Sequence, residues 1–472
     1  MINKSSFDLS PASGEIQNPE AIFSENPQEQ KKGRRQTIDL IKRAIWIYFL
    51  LLIFEGALRK WVLPGLSSPL LLIRDPVAVW ILITAYNKGL FPSNIYVKGA
   101  IFVGVIGIFT SVLFGHGSFP VALFGARAFL IHIPLVFVIG KTFDRGDVIS
   151  IGKVLLMISI PMAVLVAAQF YSPQTALVNK GVGDAEFGGF SGALGYSRPP
   201  GTFSFTSGLT AFYGFVSCFV FYFWLNPKTI NRLILIGATG ALLIVIPLSI
   251  SRSLFFSIGV VFVFVILASL RKPEYLLKMV LSGFIILIIL AVANQFSFFQ
   301  TGIEVFTARF ENANAVEGGV EDVLLDRYLG GLFSAISFKA QVPIFGYGLG
   351  RYSNVGSTLL SGKIVSGIAE GEWGRIIAES GPILGLLTVF ARIGLSIKFS
   401  LLSLRKLGQG DLLPWLLLSF CLLTFPQGNW AQPTSLGFCV ILPGLLLASL
   451  RKRITEVEFS SPSNLIAENS QT

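Results

Sequence analysis

The stretch LILIGATGALLIVIPLSISRSLFFSIGVVFVFVILASL, residues 233–270, contains two long apolar runs and a single charged residue, Arg252. Each run approaches the roughly 20 residues that an α-helix needs to cross the hydrocarbon core of a bilayer. The tripeptide Ser251-Arg252-Ser253 separates the two runs as a short turn. The stretch therefore predicts two membrane-spanning helices with an arginine at the point where the chain turns back.

Apolar runs of this kind continue along most of the chain, which has 53% hydrophobic residues, 13% charged residues and a mean hydropathy of +0.69. Because a globular domain has roughly 25% charged residues, we expect an all-α integral membrane protein with about twelve transmembrane helices. The expected spans are approximately 39–58, 67–86, 96–115, 119–140, 149–170, 207–225, 230–250, 254–270, 277–297, 376–397, 411–426 and 434–450. The segment 411–426 is short and bounded by Pro414 and Pro426, so the expected number is ten to twelve.

The longest polar stretch lies between the ninth and tenth expected spans, where a water-facing insert of this size commonly carries function. We expect it to form one large extracytoplasmic loop. The predicted organisation is a disordered cytoplasmic tail at 1–36, spans one to nine at 37–297 with an outer loop at 171–206, the large loop at 298–375, spans ten to twelve at 376–452 and a disordered cytoplasmic tail at 453–472.

The net charge of +11 comes from short basic clusters between apolar runs, which favours the positive-inside rule over a nucleic-acid partner. With twelve spans and both termini in the cytoplasm, the cytoplasmic residues would be Lys88, Lys98, Lys141, Arg145, Lys153, Lys228, Arg232, Arg271, Lys272, Lys278, Arg392, Lys398, Arg405, Lys406, Arg451, Lys452 and Arg453. The three cysteines lie in apolar runs without metal-ligand spacing, and the chain has two histidines. We therefore expect no metal site and no cofactor.

Several arginines lie on the other side of the expected membrane. A charge within a span costs about 2.5 to 3.5 kcal/mol on insertion scales, so arginines at span ends require partners. The arginines on that side are Arg59, Arg74, Arg127, Arg198, Arg252, Arg327 and Arg351. Glu55 lies four residues before Arg59 and is a possible structural partner on a helix. Guanidinium groups that converge on one cavity would instead suit a lipid-linked diphosphate, since their planar fork matches phosphate oxygens. A transporter or lipid flippase is the alternative from another class.

Several motifs resemble the O-antigen ligase and O-antigen polymerase superfamily. In the polar insert they are Arg327, the turn PIFGYGLG at 343–350, the segment EGEWGR at 370–375 and the helix start ESGPILG at 379–385. Ser251-Arg252-Ser253 is similar to the short SR turn of that family, and Arg198 through Phe203 to its R-x-x-G-T-F loop. The resemblance covers most of the second half of the chain.

The resemblance implies a metal-independent, inverting glycosyltransferase of a bacterial plasma membrane that uses a glycan on undecaprenyl diphosphate. Arg252 and Arg327 would stabilise the diphosphate, and Glu370 or Glu372 would accept the proton of the acceptor hydroxyl. The substrate-binding residues would be Arg198, Arg351, Arg375, Arg127 and Arg74. A structural alternative is that the glutamates pair with Arg375 or Arg351.

Ligases of the superfamily carry a histidine at the position of Glu370, so the sequence favours the polymerase branch, with a ligase or a divergent transferase as alternatives. The expected partners are a lipid-linked oligosaccharide donor and acceptor, membrane lipids, a chain-length regulator and a flippase.

Overall fold

The computed structural model describes residues 27–183, 188–271, 273–317, 342–362 and 371–451, and most of their regular structure is helical. The helices are α1 (Pro27–Ala57), α2 (Ser67–Leu70), α3 (Arg74–Asn87), α4 (Ile95–Leu113), α5 (Phe119–Arg127), α6 (Ile133–Thr142), α7 (Arg145–Tyr171), α8 (Thr206–Leu225), α9 (Arg232–Leu248), α10 (Arg252–Ser269), α11 (Pro273–Ala293), α12 (Ser297–Glu317), α13 (Asn354–Ser361), α14 (Gly371–Gly408), α15 (Leu413–Thr424) and α16 (Pro433–Leu450). Strands β1 (Phe190–Ala193) and β2 (Tyr196–Arg198) pair in antiparallel fashion, with Phe190 opposite Arg198.

Eight helical segments in the described part are long and apolar enough to cross a membrane, and a bent pair would make a ninth. The bent pair joins Gly283–Ala293 to Ser297–Glu311 at an angle of 103°. Helices α9 and α15 are apolar but shorter. The prediction of an all-α membrane protein is confirmed, whereas the number of spans and the large loop stay predictions.

Side-chain caps fix where several helices begin. Asp144 accepts hydrogen bonds from the backbone of the first turn of α7 and forms a capping box with Asp147. At the predicted turn, the Ser251 hydroxyl accepts from the backbone N–H of Leu254, so Ser251 is the N-cap of α10 and Arg252 its first residue. The reversal between α9 and α10 is therefore short, as the sequence predicts.

The centre of the bundle is formed by α8 and α16, since 78% of the apolar part of each is buried. Helix α16 packs against α1, α6, α7, α8, α14 and α15. Glycines let the helices approach closely: a Cβ at Gly152 would lie 2.2 Å from the Phe219 ring, and one at Gly214 would lie 2.4 Å from Phe420. Small residues at such crossings are typical of membrane helix packing.

The helix ends form two groups. The group that we call the basic end contains the short connections near residues 88–94, 143–144, 226–231 and 409–412, and it carries Lys42, Lys88, Lys141, Arg145, Lys228, Arg232, Arg271, Arg405, Lys406 and Arg451. Ion pairs join its segments: Lys42 Nζ lies 2.6 Å from Asp147, and Arg145 pairs with Asp411. The opposite group, which we call the loop end, contains the longer connections near residues 172–205, 342–353 and 425–432.

Candidate functional site

The loop at residues 426–433 connects arginines from distant parts of the chain. The Nη2 of Arg74, at the start of α3, donates a hydrogen bond to the carbonyl of Pro433 at 2.5 Å. The Nη1 of Arg392, within α14, donates to the carbonyl of Pro426 at 3.4 Å. The loop end of the bundle therefore brings guanidinium groups more than 300 residues apart in sequence to one short connection.

Helix α14 reverses direction at Gly381, whose φ of 76° and ψ of 170° are not helical. The chain therefore forms a first arm at 371–380 and a second arm at 382–408. The arms pack closely, since a Cβ at Gly385 would lie 2.8 Å from the Cα of Ile377. Helical structure begins at Gly371, five residues before the predicted span at 376–397.

Glu372 joins the two arms through a cluster of buried charges. Arg375 holds its carboxylate with two hydrogen bonds, from Nε to Oε2 at 2.9 Å and from Nη2 to Oε1 at 2.7 Å. Arg392 Nη1 donates to Oε1 from the second arm at 2.9 Å. The pairing of Glu372 with Arg375, which the sequence offered as the structural alternative, is present. Glu372 is 6% exposed, so a role as proton acceptor would require these pairs to open.

The glycine-rich turn at 343–350 clamps the reversal. The backbone N–H of Gly348 donates to the carbonyl of Glu379 at 2.9 Å, and the Glu379 carboxylate accepts from the N–H of Tyr352 at 2.9 Å. Arg375 Nη1 lies 2.5 Å from the other Glu379 oxygen. Gly346 has a φ of 71°, a conformation that glycine adopts without strain. Glu379 thus braces the turn against the first arm.

A second buried cluster links α3 to α5 and the turn that follows α5. Arg127 Nη1 lies 2.6 Å from Asp75 Oδ2, and His132 Nε2 lies 3.4 Å from Asp75 Oδ1. The Arg127 guanidinium also lies 4.0 Å from the centre of the Phe124 ring. One carboxylate and one aromatic face thus compensate part of the cost of burying Arg127.

A third cluster lies at the end of α1. Arg59 Nη1 is 3.5 Å from Glu55 Oε1, the helical pairing expected from their spacing, and it donates to the Ser204 hydroxyl at 2.9 Å. The closer partner of Glu55 is Arg74, whose Nε lies 3.0 Å from Oε2. Arg74 is therefore part of a buried ion-pair network rather than a free cation.

Lys60 is the most deeply buried cation of this region, at 1% exposure. Its Nζ donates to the carbonyl of Gly201 at 2.7 Å, within the loop that begins at Arg198. Burial lowers the pKa of Lys60 to about 7. Lys60 thus fixes the R-x-x-G-T-F segment against the end of α1.

Arg252 lies at the same end of the bundle, 8% exposed. Its neighbour Ser251 shares a hydrogen bond of 3.1 Å with Thr210 in the first turns of α8. In the same helix, Ser207 donates to the side-chain oxygen of Gln432 at 3.2 Å, which connects this region to the 426–433 loop. The predicted catalytic arginine and the 426–433 loop therefore flank the start of α8.

The remaining predicted residues divide into two groups. Arg198 lies on β2, in the hairpin that packs near Ile250, because a Cβ at Gly192 would lie 2.7 Å from Ile250 Cδ1. Arg351 is exposed, 5.7 Å from the centre of the Tyr347 ring. Arg327 and Glu370 lie outside the described residues.

A small cavity lies between the Glu372 and Asp75 clusters. Its lining includes Arg127, Arg375, Arg392, Phe124 and Trp430. The space left for the centre of a water molecule is about 10 Å³, which admits one water in this conformation. Three guanidinium groups from α5 and from both arms of α14 therefore line one opening.

Sequence reasoning did not single out Arg392 as a site residue and grouped it with the basic residues expected in the cytoplasm, whereas the structure places it apart from the basic end. The side chain pairs with Glu372 and lies 4.6 Å from the centre of the Trp430 ring, away from the basic end. A signal was present, since Arg392 lies inside the predicted span 376–397 and a charge within a span requires a partner. Which partner it has depends on the reversal at Gly381, and apolar periodicity does not reveal that reversal.

Comparison of the chain with protein-family models, with curated proteins and with solved structures finds no match.

Proposed function

We propose that the chain is a membrane glycosyltransferase that polymerises undecaprenyl-diphosphate-linked oligosaccharide repeats into O-antigen or exopolysaccharide. One observation carries the proposal: buried arginines from α3, α5, α10 and α14 lie at one end of the helix bundle, around the start of α8 and the 426–433 loop. Guanidinium groups at the edge of a bilayer are suited to the diphosphate of a lipid carrier. The sequence resemblance supplies the reaction class.

The proposal includes twelve spans, the segment 298–375 as an extracytoplasmic loop, and the loop end on the outer face of a bacterial plasma membrane. The concentration of lysine and arginine at the basic end supports this orientation, with both termini in the cytoplasm. A membrane-impermeant thiol reagent tests it on exposed polar positions at each end. Ser191→Cys should react from outside intact cells and Gln409→Cys only after lysis; the reverse pattern would contradict the orientation.

In the proposed reaction, the acceptor hydroxyl oxygen attacks C1 of the donor sugar on the face opposite the diphosphate. The bond from C1 to the diphosphate oxygen breaks and its electron pair stays on the diphosphate, so the anomeric centre is inverted. Arg252 and Arg327 neutralise that charge. The hydroxyl proton passes to a carboxylate, Glu370 or Glu372, and the second of these must first leave its arginine partners.

The deciding experiment replaces the four proposed catalytic residues one at a time in the host and examines its surface polysaccharide. The variants are Arg252→Lys, Arg327→Lys, Glu370→Gln and Glu372→Gln, with Arg271→Lys at the basic end as the matched control. Loss of polymerase activity leaves single repeats on the final carrier, whereas loss of ligase activity leaves long chains on the lipid donor. Unchanged glycan in all four variants, at wild-type protein levels, would contradict the proposal.

A further inference from the structure

Arg392 has two buried N–H donors without a hydrogen-bond acceptor among the described residues. The side chain is 3% exposed, and its Nη1 donates to Glu372 and to the carbonyl of Pro426. Its Nε and Nη2 have no partner in the same part of the chain. A buried donor left unpaired costs about 1–3 kcal/mol, so two on one side chain point to a group that accepts from both.

The two donors belong to one edge of the guanidinium group. Nε and Nη2 direct parallel N–H bonds outward, which is the fork that binds two oxygens of a carboxylate or phosphate at once. Arg375 shows the same edge in use, since its Nε and Nη2 hold the two oxygens of Glu372 at 2.9 and 2.7 Å. In Arg392 the equivalent edge is unpaired among the described residues, and Arg392 is one of the residues that line the small cavity.

Arg127 also lines this cavity and has a further unpaired donor. It is 7% exposed, its Nη1 is paired with Asp75, and its Nη2 has no acceptor among the residues the structure describes. Aromatic rings cover a face of each arginine, Phe124 at 4.0 Å from Arg127 and Trp430 at 4.6 Å from Arg392. With their faces occupied, the two guanidinium groups bind further ligands through their edges.

We propose that this cavity is a binding site for a singly charged oxyanion with two equivalent oxygens, held by Nε and Nη2 of Arg392 and by Nη2 of Arg127. The surrounding charges, three arginines against Glu372, Glu379 and Asp75, already balance, so among the oxyanions that would fit the unpaired edge a singly charged one disturbs this balance least. The site admits one water in this conformation, so binding of a larger oxyanion requires the cavity to widen.

Two sources supply an oxyanion of this kind, and naming them rests on the proposed function. One is a phosphate of the diphosphate diester that links lipid and sugar in the donor, where each phosphorus carries one negative charge. The other is the carboxylate of an acidic sugar within the glycan. The oxyanion site itself depends only on the geometry around Arg392 and Arg127.

The test uses the full chain purified in lipid nanodiscs and titrated by calorimetry with two probes, uridine diphosphate glucose and glucuronate. The first is a sugar-linked diphosphate diester and the second a sugar carboxylate. We expect one of them to bind the wild-type protein, and Arg392→Lys to weaken that binding at least tenfold. Lysine keeps the charge opposite Glu372 but lacks the fork. Arg271→Lys at the basic end is the control and should bind as the wild type does.

The probe that binds identifies the source of the oxyanion. If Arg392→Lys does not yield a monodisperse protein, Arg127→Lys is measured in its place with the same expectation. Wild-type affinity in the arginine variants would overturn the site, as would the absence of binding of both probes to the wild-type protein. Loss of binding in Arg392→Lys together with unchanged glycan in all four catalytic variants, at wild-type protein levels, would keep the site and remove the transferase proposal.

Discussion

Replacing Gly381 by alanine is expected to destabilise the fold through the reversal of α14. With a φ of 76° and a ψ of 170°, Gly381 occupies a region of backbone space that is nearly restricted to glycine. An added Cβ would lie 2.1 Å from the carbonyl oxygen of Ile344 and 2.7 Å from the backbone nitrogen of Gly346. Both atoms belong to the backbone of the glycine-rich turn, so no flexible side chain can move away.

Two effects determine how much the free energy of unfolding falls in Gly381→Ala. Holding a non-glycine residue in this backbone region costs about 1–3 kcal/mol. Relieving a Cβ contact with the backbone, which requires a shift on the order of 1 Å, adds about 1–3 kcal/mol as in other overpacked sites. The expected loss is therefore about 2–6 kcal/mol. With an unfolding entropy near 2 cal/mol/K per residue, the melting temperature would fall by about 2–6 °C.

The measurement is thermal unfolding of the purified full chain in detergent, compared with Gly259→Ala. Gly259 lies in helix α10 with open space where its Cβ would be, so alanine there should stabilise the helix by about 0.5–1 kcal/mol. The two substitutions add the same methyl group and should change the free energy of unfolding in opposite directions. An unchanged melting temperature for Gly381→Ala would refute the reversal as described.

Three further outcomes follow from the charged residues. Glu372→Gln should lower the free energy of unfolding by about 3–5 kcal/mol, because buried Arg392 loses its counter-ion and Arg375 loses one of two. In thermal unfolding, a shift below about 1 °C would contradict the buried cluster. Asp411→Asn removes a partly exposed partner of Arg145 and should cost less than about 1 kcal/mol in the same assay, so a loss as large as that of Glu372→Gln would be unexpected. Lys60 has a pKa of about 7 in the folded protein and the usual 10.5 in the unfolded chain. Between these pH values the unfolded chain binds more protons than the folded protein. The free energy of unfolding should therefore rise by roughly 1.4 kcal/mol per pH unit from about pH 7 to 10.5. A pH series on Lys60→Met should lack that slope, and an identical slope in both proteins would exclude Lys60 as its cause.

Much of the helical architecture follows from the sequence because apolar length is a local property. Most of the predicted apolar segments correspond to helices, although 67–86 and 119–140 are each divided between two helices and 376–397 contains the reversal at Gly381. The polar turn at Ser251-Arg252-Ser253 lies between α9 and α10, as predicted. Helix α14 shows where this reasoning ends. An unbroken helix and a helix reversed at Gly381 have the same local composition, and the contacts with Ile344 and Gly346 that define the reversal come from a distant segment.

The sequence identified many of the arginines at the loop end but not most of their pairings. The sequence indicated that arginines would gather at one end of the bundle, and it paired Glu55 with Arg59 from their helical spacing. It did not predict that Arg74 would be the closer partner of Glu55, because the two residues lie 19 positions apart on different helices. Ion pairs between helices depend on packing, which the order of apolar runs does not determine.

The reversal of α14 has a consequence for how the protein is made. Glu372 and Arg392 lie nine residues before and eleven residues after Gly381, so neither is neutralised by the other until both have been synthesised. Within the first arm Glu372 and Glu379 share Arg375, so one negative charge stays uncompensated until Arg392 follows. An uncompensated charge entering the bilayer would meet a barrier of about 2.5 to 3.5 kcal/mol on insertion scales. We therefore expect the two arms to leave the translocation machinery together, as a preformed helical hairpin, rather than one after the other.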